Sequence, residues 1–400
     1  MLPFEGIRVL EFSTMITASF AAMMLADQGA EVIKVEPIEL GDPMRYLGST
    51  KGGISALFAN CNRGKRSLRL NMKSDGGREI VESLVSDTDV ILSNFRPGVM
   101  ASLGLGSDHL RSINPRLIYA GVSGFGTEGP HRDAPAYDPI IQAQTGFAAV
   151  QGQGKDAPEF MQSLMCDKIT AYTAYQSVLT ALFVRERTGR GQHIDLSMMD
   201  SALYFLFPDG FMHHTLLDDD AEYKQPLSEL LYQLSETTDG SVTVSAATAA
   251  QQVGMLTAID RLELFADERF NSIEMILKNA DAFRAEVRSA FGAFETEEIL
   301  TRLHESDVPA ARPLDYPEVL AHPQYEANDS LDIATHARMG SMVRIKPPAR
   351  FGGERLMPAS DSPAHGEHTR DILTELGHDD EAIAALIEQG IVQPETEPAE

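Results

Sequence analysis

The residue best placed for chemistry is Asp167, which lies near the start of a segment from Met165 to Leu203. Apolar residues recur there at steps of three and four, which predicts a helix with one buried face made of Ile169, Tyr172, Tyr175, Leu179 and Leu182. Asp167 stands just ahead of that face, at the position of an N-cap residue. A carboxylate there either caps the helix or acts in catalysis, and the local pattern leaves both interpretations open.

A second candidate site is the basic segment from Asn62 to Lys73, which stands out in an acidic chain. Its cations are Arg63, Lys65, Arg66, Arg69 and Lys73. Such a concentration either lies on a solvated pair of strands or forms a rim that binds phosphate groups. Composition alone does not decide between the two.

The elements that must position these side chains begin with a strand over 7–12, a helix over 19–28 and a strand over 31–35. This order predicts a βαβ unit with a right-handed crossover, and therefore a parallel sheet. Glu36 stands where a dinucleotide-binding fold places its ribose-binding acid. However, the turn from Phe12 to Thr17 has no glycine to let the backbone approach a pyrophosphate, which disfavours a nicotinamide or flavin site.

Polar segments follow two further predicted strands. Ser93 to Gly98 comes directly after a strand over 89–92, and residues at that end of a parallel strand line the crevice where α/β proteins bind ligands. Gly124 to Gly129 follows a strand over 117–122 and matches the spacing G-x-G-x-x-G. No helix is predicted directly after it, so we interpret it as an active-site loop rather than a nucleotide fingerprint.

Charge and composition narrow the possible partners. A net charge of −26 disfavours nucleic acid and anionic membranes, although a local basic cluster can still hold a small anion because screening acts over about 8–10 Å.

Cys61 and Cys166 are the two cysteines, which predicts no disulfide framework. The sequence shows neither a signal peptide nor an apolar run of membrane-spanning length, so we expect a cytoplasmic protein. His213, His214 and the acids at 218–220 lack a second cluster with ligand spacing, so we expect no metal.

Several segments, taken together, resemble the class III CoA-transferases, the group that includes formyl-CoA transferase and, as a divergent branch, the α-methylacyl-CoA racemases. The matching segments begin with GIRVLEF, AEVIKVEP, GDPMR and CNRGKRSLRLNMK. They continue with SNFRPGVMASLGLG, NPRLIYAGVSGFGTEGP, AYDPIIQAQTG, the pair Asp167 and Lys168, and RTGRGQHIDLSMMDSAL. The likeness covers nearly the whole chain, in the family's order.

The resemblance favours catalysis over capping for Asp167, which occupies the position of the family's nucleophilic aspartate. The reaction it implies moves CoA from an acyl-CoA thioester to a carboxylic acid, through an aspartyl anhydride and an aspartyl-CoA thioester. It implies no tightly bound cofactor, because CoA enters and leaves as part of the thioesters. The identities of the acyl donor and the carboxylate acceptor stay open.

The resemblance also implies a set of binding residues. By position, the CoA contacts are Met15, Ile16, Thr17, Arg45, Leu70, Lys73, Asn94, Phe95, Arg96 and Met198. Arg45 and Arg96 are the two cations that we expect at the nucleotide end. Tyr137, Gly124 and Gly126 are the expected supporting residues, with both glycines in a loop that could exclude water from the intermediate.

Three departures from the family pattern bear on the reaction. The racemases carry a histidine before the residue that matches Asp138, whereas this chain has Tyr137. They also use an acid in the segment where this chain has Ser245 to Ala249. Racemisation needs groups that titrate near neutrality on both faces of the α-carbon, so the formyl-CoA transferase branch is favoured. The glycine-rich loop that some transferases close over the intermediate is not evident between Asp218 and Ser235.

Two alternatives remain: an acyl-CoA racemase or isomerase of the same fold, and a non-catalytic acyl-CoA-binding protein. For the fold, the resemblance implies an α/β protein whose large Rossmann-like parallel-sheet domain is built from both chain ends, with a smaller α+β domain and an interlocked homodimer. The expected boundaries are 1–210 for the CoA-binding domain, 218–329 for the small domain, and 330–400 for an extended arm and helix that return to the large domain.

Overall fold

The computed structural model describes residues 2–152, 157–222, 232–357 and 360–395. The chain divides into two units. The first unit combines Met1–Gly210 with Gln324–Glu400, and the second unit is Phe211–Pro323. Half of the segment in which no glycine-rich loop was evident, Asp218 to Ser235, lies outside the described residues, which omit 223–231.

The strands, in chain order, are β1 (Arg8–Phe12), β2 (Glu31–Glu36), β3 (Thr50–Lys51), β4 (Ile54–Ser55), β5 (Lys65–Arg69), β6 (Val90–Ser93), β7 (Ile118–Ser123), β8 (His193–Ser197), β9 (Ser235–Glu236), β10 (Ser241–Val244), β11 (Ala310–Ala311), β12 (Leu331–His336), β13 (Gly340–Ile345), β14 (Arg350–Phe351) and β15 (Glu354–Arg355). The helices of the first unit up to Gly210 are α1 (Ile16–Ala26), α2 (Ala56–Asn62), α3 (Asp75–Val85), α4 (Val99–Ser102), α5 (Ser107–Ile113), α6 (Asp138–Thr145), α7 (Phe147–Gln151), α8 (Met165–Thr188) and α9 (Met198–Gly210). The later helices are α10 (Ala249–Ala258), α11 (Ile273–Lys278), α12 (Ala280–Phe291), α13 (Thr296–Glu305), α14 (Tyr316–Leu320), α15 (Pro323–Ala327), α16 (Thr369–Glu375) and α17 (Asp380–Glu388).

A six-stranded sheet forms the centre of the first unit, in the order β5-β2-β1-β6-β7-β8. All five of its pairings are parallel, which confirms the α/β prediction. This is the strand order of a doubly wound fold, in which the carboxyl ends of the strands form a ligand-binding crevice. None of the described helices is long and apolar enough to cross a bilayer.

The core beside this sheet draws on both ends of the chain. Leu10 and Ile33 from the first two strands share one buried cluster with Ile372 and Leu373 of α16 and Ile383 of α17. The sequence predicted α16 but not α17. It also predicted an extended arm from Lys346 to His368, whereas the structure places the short β14–β15 hairpin within it.

The long helix α8 packs against α1. Of its predicted buried face, Ile169 and Leu182 are buried. Tyr172 is 53% exposed. The buried stripe also includes small residues that were not predicted, Ala171, Ala174 and Ala181, and four of the buried residues of α1 are alanines. Small side chains let two helices approach closely, which explains why alanines share the buried face with the predicted apolar residues.

Charged side chains are buried under the carboxyl edge of the sheet. Lys34 is fully buried and its Nζ lies 2.6 Å from Glu11 Oε1 and 2.9 Å from Asp42 Oδ2. Lys65, also buried, places its Nζ 2.6 Å from Glu11 Oε2. Burial alone would raise the pKa of Glu11, but the two lysines outweigh it and lower this pKa to about 2. Each charge in this cluster therefore depends on its partners.

The second unit has its own small sheet and core. β9 and β10 form an antiparallel hairpin around Asp239 and Gly240, a dipeptide typical of hairpin turns, and β11 pairs antiparallel with β10. Its buried cluster includes Leu256, Phe270 and Leu303.

Replacing Lys34 with methionine removes one cation, which leaves the buried Asp42 without its ion pair and Glu11 paired with Lys65 alone. We expect the free energy of unfolding to fall by about 3 kcal/mol or more, seen as a lower urea midpoint. The control is Arg66→Gln, which breaks partly exposed pairs with Glu31 and Glu375 and should cost at most about 1 kcal/mol. Equal effects of the two substitutions would contradict the proposed dependence on burial.

Candidate active site

A cavity of about 630 Å³ opens at the carboxyl edge of the sheet, within the first unit. The residues that line it follow five of the strands: Thr14, Met15 and Thr17 after β1, Pro37 to Glu39 after β2, Leu70 to Lys73 after β5, Asn94 to Pro97 after β6, and Ser123 to Gly124 at the end of β7. Asp167 at the start of α8 and Met198 at the start of α9 also line it, as do residues between Arg132 and Pro139. This is where a parallel α/β sheet is expected to bind its ligand.

Asp167 lies inside α8 rather than at its cap, which corrects the prediction. The helix begins at Met165, its N-cap position is Leu164, and Asp167 falls in the first turn. The Asp167 side chain is buried, and its Oδ1 accepts a hydrogen bond of 2.7 Å from the Thr17 hydroxyl at the start of α1. The carboxylate therefore does not cap its own helix. It binds the start of α1 instead.

Asp138 holds the backbone of the same residue. Asp138 Oδ1 accepts the backbone N–H of Asp167 at 2.9 Å, and Oδ2 accepts Gln142 Nε2 at 2.6 Å. Gln142 in turn accepts the backbone N–H of Met161 and donates to the carbonyl oxygen of Ser163. The start of α6 thereby fixes both α8 and the segment that precedes it.

Burial raises the pKa of Asp167 to about 6. The hydrogen bond from Thr17 works in the opposite direction, and the nearby charge of Asp138 adds to the rise. At neutral pH most of the Asp167 side chain is ionised, yet it is less solvated than a surface carboxylate. Such a group is available as a nucleophile.

The turn that carries Thr17 is strained and is held from two sides. Met15 has a φ of 62°, which is uncommon for a residue with a side chain. Its backbone N–H donates to Asp42 Oδ1 at 3.1 Å, so the turn is tied to the buried charge cluster around Lys34. On the other side, Asn94 accepts the N–H of Thr14 at 3.0 Å and donates to its carbonyl oxygen at 2.6 Å.

The cavity brings together eight of the ten predicted CoA-binding residues and leaves two outside. The eight that line it are Met15, Thr17, Leu70, Lys73, Asn94, Phe95, Arg96 and Met198. Ile16 instead packs into a buried cluster with Met44 and Phe58. Of the three supporting residues, Tyr137 and Gly124 line the cavity and Gly126 does not. A side chain at Gly124 would collide with Ala136, since an added Cβ would lie 2.3 Å from the Ala136 Cβ.

Arg45 is placed differently from the prediction. It is 4% exposed, its Nη2 lies 2.6 Å from Glu36 Oε1, and its Nη1 donates to the carbonyl oxygen of Pro363. Ser67 donates to the same carboxylate oxygen of Glu36. A buried guanidinium that is already paired is not free to bind a nucleotide, and Glu36 is likewise not free to bind a ribose.

The basic segment is neither a solvated strand pair nor a continuous phosphate rim. Lys73 is its one cation that lines the cavity within the described part of the chain. The others are engaged elsewhere: Arg63 with Asp27, Lys65 with Glu11, Arg66 with Glu31 and Glu375, and Arg69 with the carbonyl oxygen of Ile38. Two of these four cations, Arg63 and Lys65, therefore neutralise buried carboxylates.

The structure also adds residues that the sequence did not single out. Arg132 lines the cavity, and Asp138 and Gln142 position the backbone of Asp167. An aspartate followed by a proline at a helix start is a visible signal for Asp138. Across the residues described, no group of three or more His, Cys, Asp or Glu side chains is arranged to hold a metal ion.

The sequence model of CoA-transferase family III matches residues 4–369. The chain belongs to this family. It is 33% identical, over 97% of this chain and 88% of the relative, to an acyl-CoA transferase from Fusarium pseudograminearum. It is 34% identical, over 88% of this chain and 93% of the relative, to an acetyl-CoA:oxalate CoA-transferase from Acetobacter aceti.

A solved structure of a CaiB/BaiF family protein from Brucella suis superposes with a TM-score of 0.82 and 29% identity, covering 94% of this chain and 99% of that one. These comparisons confirm the family resemblance and the α/β fold. They also show that the chain is an enzyme of the CoA-transferase type.

The raised pKa of Asp167 predicts how activity depends on pH. If the ionised carboxylate is required, kcat/KM should fall as the pH drops through about 6. Asp138→Asn removes a negative charge beside Asp167 while keeping an oxygen that can accept its N–H. We expect this variant to shift the acidic limb to lower pH. A wild-type rate that is unchanged well below pH 6, or an unshifted limb in the variant, would contradict this assignment.

Proposed function

We propose that this family III enzyme transfers CoA from an acyl-CoA thioester to a carboxylic acid, with Asp167 as the nucleophile. The observation that carries the proposal is the position of the Asp167 carboxylate. It is buried and held by Thr17 at 2.7 Å, and it borders a cavity of about 630 Å³ whose lining includes cations. A pKa near 6 leaves the carboxylate ionised at neutral pH.

The first half of the reaction releases the donor acid. An oxygen of Asp167 attacks the thioester carbonyl carbon, the carbon–sulfur bond breaks, and CoA leaves as its thiolate. The product is a mixed anhydride between Asp167 and the acyl group. The thiolate then attacks the carboxyl carbon of Asp167, so that the donor leaves as a carboxylate and takes one aspartate oxygen with it.

The second half reverses these steps with the acceptor. The acceptor carboxylate attacks the aspartyl-CoA thioester and expels the thiolate, which gives a second mixed anhydride. The thiolate attacks the acceptor carbonyl carbon and Asp167 leaves as a carboxylate. No net proton is taken up or released, which fits a cavity whose reactive group is a carboxylate and whose lining, among the described residues, contains no histidine.

The Thr17 hydroxyl has a direct part in this sequence. When the thiolate attacks the carboxyl carbon of Asp167, negative charge develops on an aspartate oxygen. A donor already 2.7 Å from Oδ1 can stabilise that charge without moving. The burial of Asp167, and the Gly124 to Gly129 loop that begins at the cavity, would limit attack by water on the anhydride.

The CoA-binding set follows from the cavity lining. Lys73 and Arg96 supply positive charge for the phosphates, and Met15, Leu70, Phe95 and Met198 supply apolar contacts for the rest of the molecule. Arg45 and Ile16 leave the proposed set because they lie outside the cavity.

We also propose that the enzyme is a cytoplasmic homodimer of the interlocked kind expected from the family resemblance. Large aromatic side chains on α8 and α9 support this, since Phe183, Tyr204 and Phe205 are 60%, 84% and 57% exposed in the single chain. Light scattering coupled to size-exclusion chromatography should give twice the 43.7 kDa chain mass. The mass of one chain would contradict the dimer.

Asp167→Asn tests the covalent route. Wild-type enzyme incubated with an acyl-CoA and then treated with hydroxylamine should carry a hydroxamate on the peptide that contains Asp167, because both anhydrides and thioesters react with that nucleophile. The variant should lose the adduct and at least about 10³-fold in turnover, as expected when a covalent nucleophile is removed, while still binding CoA. A variant that retains near wild-type turnover would contradict the role of Asp167.

A further inference from the structure

The cations that line the cavity are arranged on both sides of Asp167. Lys73 follows β5, Arg96 follows β6 and Arg132 follows β7. In the strand order β5-β2-β1-β6-β7, the Thr17–Asp167 hydrogen bond is at the β1 position, in the middle of the row. With strands about 4.8 Å apart, Lys73 and Arg132 come from loops roughly 10 Å to either side of β1.

Positive charge on both sides of Asp167 indicates that the bound ligands carry two separate anionic groups. The phosphates of CoA lie at one end of that molecule, and Lys73 with Arg96 accounts for them. Arg132, two strands away on the other side, is a further cation. It belongs to the segment that continues into Ala136, Tyr137 and Asp138, all of which line the cavity, and Asp138 binds the backbone of Asp167 directly. The segment that carries Arg132 is therefore linked to Asp167, where the reaction would occur, rather than to the loop that carries Lys73.

Arg132 is available to bind a ligand. The carboxylate paired with it is that of the adjacent Asp133, at 3.4 Å, and the two side chains are 51% and 77% exposed. An exposed pair of neighbours with this separation is weak, so the guanidinium keeps most of its hydrogen-bonding capacity.

A second cavity of about 250 Å³ adjoins the first at this place. Arg96, Arg132 and Ser123 line both cavities. Thr127 and Ser107 add hydroxyl groups to the smaller one, and Ser107 Oγ is buried without a hydrogen-bond partner in the described structure. Asp195 also lines it, 3.4 Å from His193. The polar lining has room for a short chain beside two guanidinium groups.

We propose that Arg132 binds the distal carboxylate of a dicarboxylic substrate at the junction of the two cavities. The guanidinium fork matches a carboxylate in shape and charge, and the substrate's other carboxyl carbon would then face Asp167. This inference rests on the proposed CoA transfer and adds the class of acid to it. Arg132 acts here as a specificity residue rather than as part of the bond-making machinery.

The test compares acceptors of equal chain length that differ in the distal carboxylate, with acetyl-CoA as donor: succinate against butyrate, and glutarate against valerate. In Arg132→Gln, the KM for the dicarboxylate should rise at least about tenfold, because a charge-assisted hydrogen bond is lost. The KM for the monocarboxylate and for acetyl-CoA should stay unchanged. The KM of Arg132→Lys for the dicarboxylate should lie between those of the wild type and Arg132→Gln, because lysine keeps the positive charge but lacks the two-pronged guanidinium.

Arg190→Gln is the matched control, because Arg190 is exposed and lines neither cavity. A wild-type enzyme that prefers the monocarboxylate of each pair would overturn the proposal. An equal rise in KM for the dicarboxylate and the monocarboxylate in Arg132→Gln would also overturn it. A rise in the KM for acetyl-CoA would assign Arg132 to the CoA phosphates and would also overturn it.

Direct binding separates this proposal from the proposed function. If the wild-type enzyme transfers CoA to none of the four acids, the transferase proposal fails for them, but calorimetric titration of succinate and glutarate in the presence of CoA still tests Arg132. Binding by the wild type that is lost in Arg132→Gln and kept in Arg190→Gln supports the site. No binding by the wild type, or equal binding by Arg132→Gln, overturns it.

Discussion

The site depends on one hydrogen bond, from the Thr17 hydroxyl to Asp167 Oδ1, which joins two helix starts separated by 150 positions in the sequence. Neither partner could hold this position alone. Thr17 follows a turn in which Met15 has an unfavourable φ of 62°, and Asp42 and Asn94 hold that turn through backbone hydrogen bonds. Asp167 is held through its own N–H by Asp138.

The constraint on Thr17 extends into the core through Asp42. This carboxylate also pairs with Lys34, which shares Glu11 with Lys65. Buried ion pairs often add little to stability compared with apolar side chains, but they fix a single arrangement, because displacing one charge exposes the others to an unfavourable environment. In this protein such a cluster lies directly behind the strained turn. Its contribution to function is therefore the position of Met15 and Thr17.

Local cations explain how an acidic chain can hold an anionic substrate. The net charge is −26, but the cavity lining carries Lys73, Arg96 and Arg132 close to the place where ligand charges would lie. At physiological ionic strength the field of distant carboxylates is screened over about 8 Å, so the electrostatic potential in the cavity depends mainly on the local cations. Most other cations of the basic segment neutralise carboxylates within the fold and contribute no binding site.

Local patterns in the sequence predicted much of the fold. The apolar runs of β1, β2, β6 and β7 predicted the parallel sheet. Because a parallel sheet collects its ligand residues at one edge, Asn94, Phe95 and Arg96 could be assigned to the crevice from their place after a strand.

Predictions failed where the outcome depended on partners distant in the sequence. Whether Arg45 points to a ligand or into the core depends on Glu36 and on the carbonyl oxygen of Pro363. The predicted buried face of α8 was confirmed at Ile169 and Leu182 but was wrong at Tyr172, because periodicity ranks a tyrosine above the alanines that are buried there. The position of Asp167 inside the helix, rather than at its cap, likewise follows from its contacts with Thr17 and Asp138.

The most direct test of the account follows oxygen through Asp167. In the proposed sequence, the first donor acid leaves with an oxygen from the enzyme, and the acceptor returns one of its own oxygens to Asp167. With an acceptor whose carboxylate carries heavy oxygen, mass spectrometry after a single turnover should find one heavy oxygen in the peptide that contains Asp167 and none in the released acid. Heavy oxygen in the released acid, with none in that peptide, would mean direct reaction between the two substrates and would contradict a covalent role for Asp167.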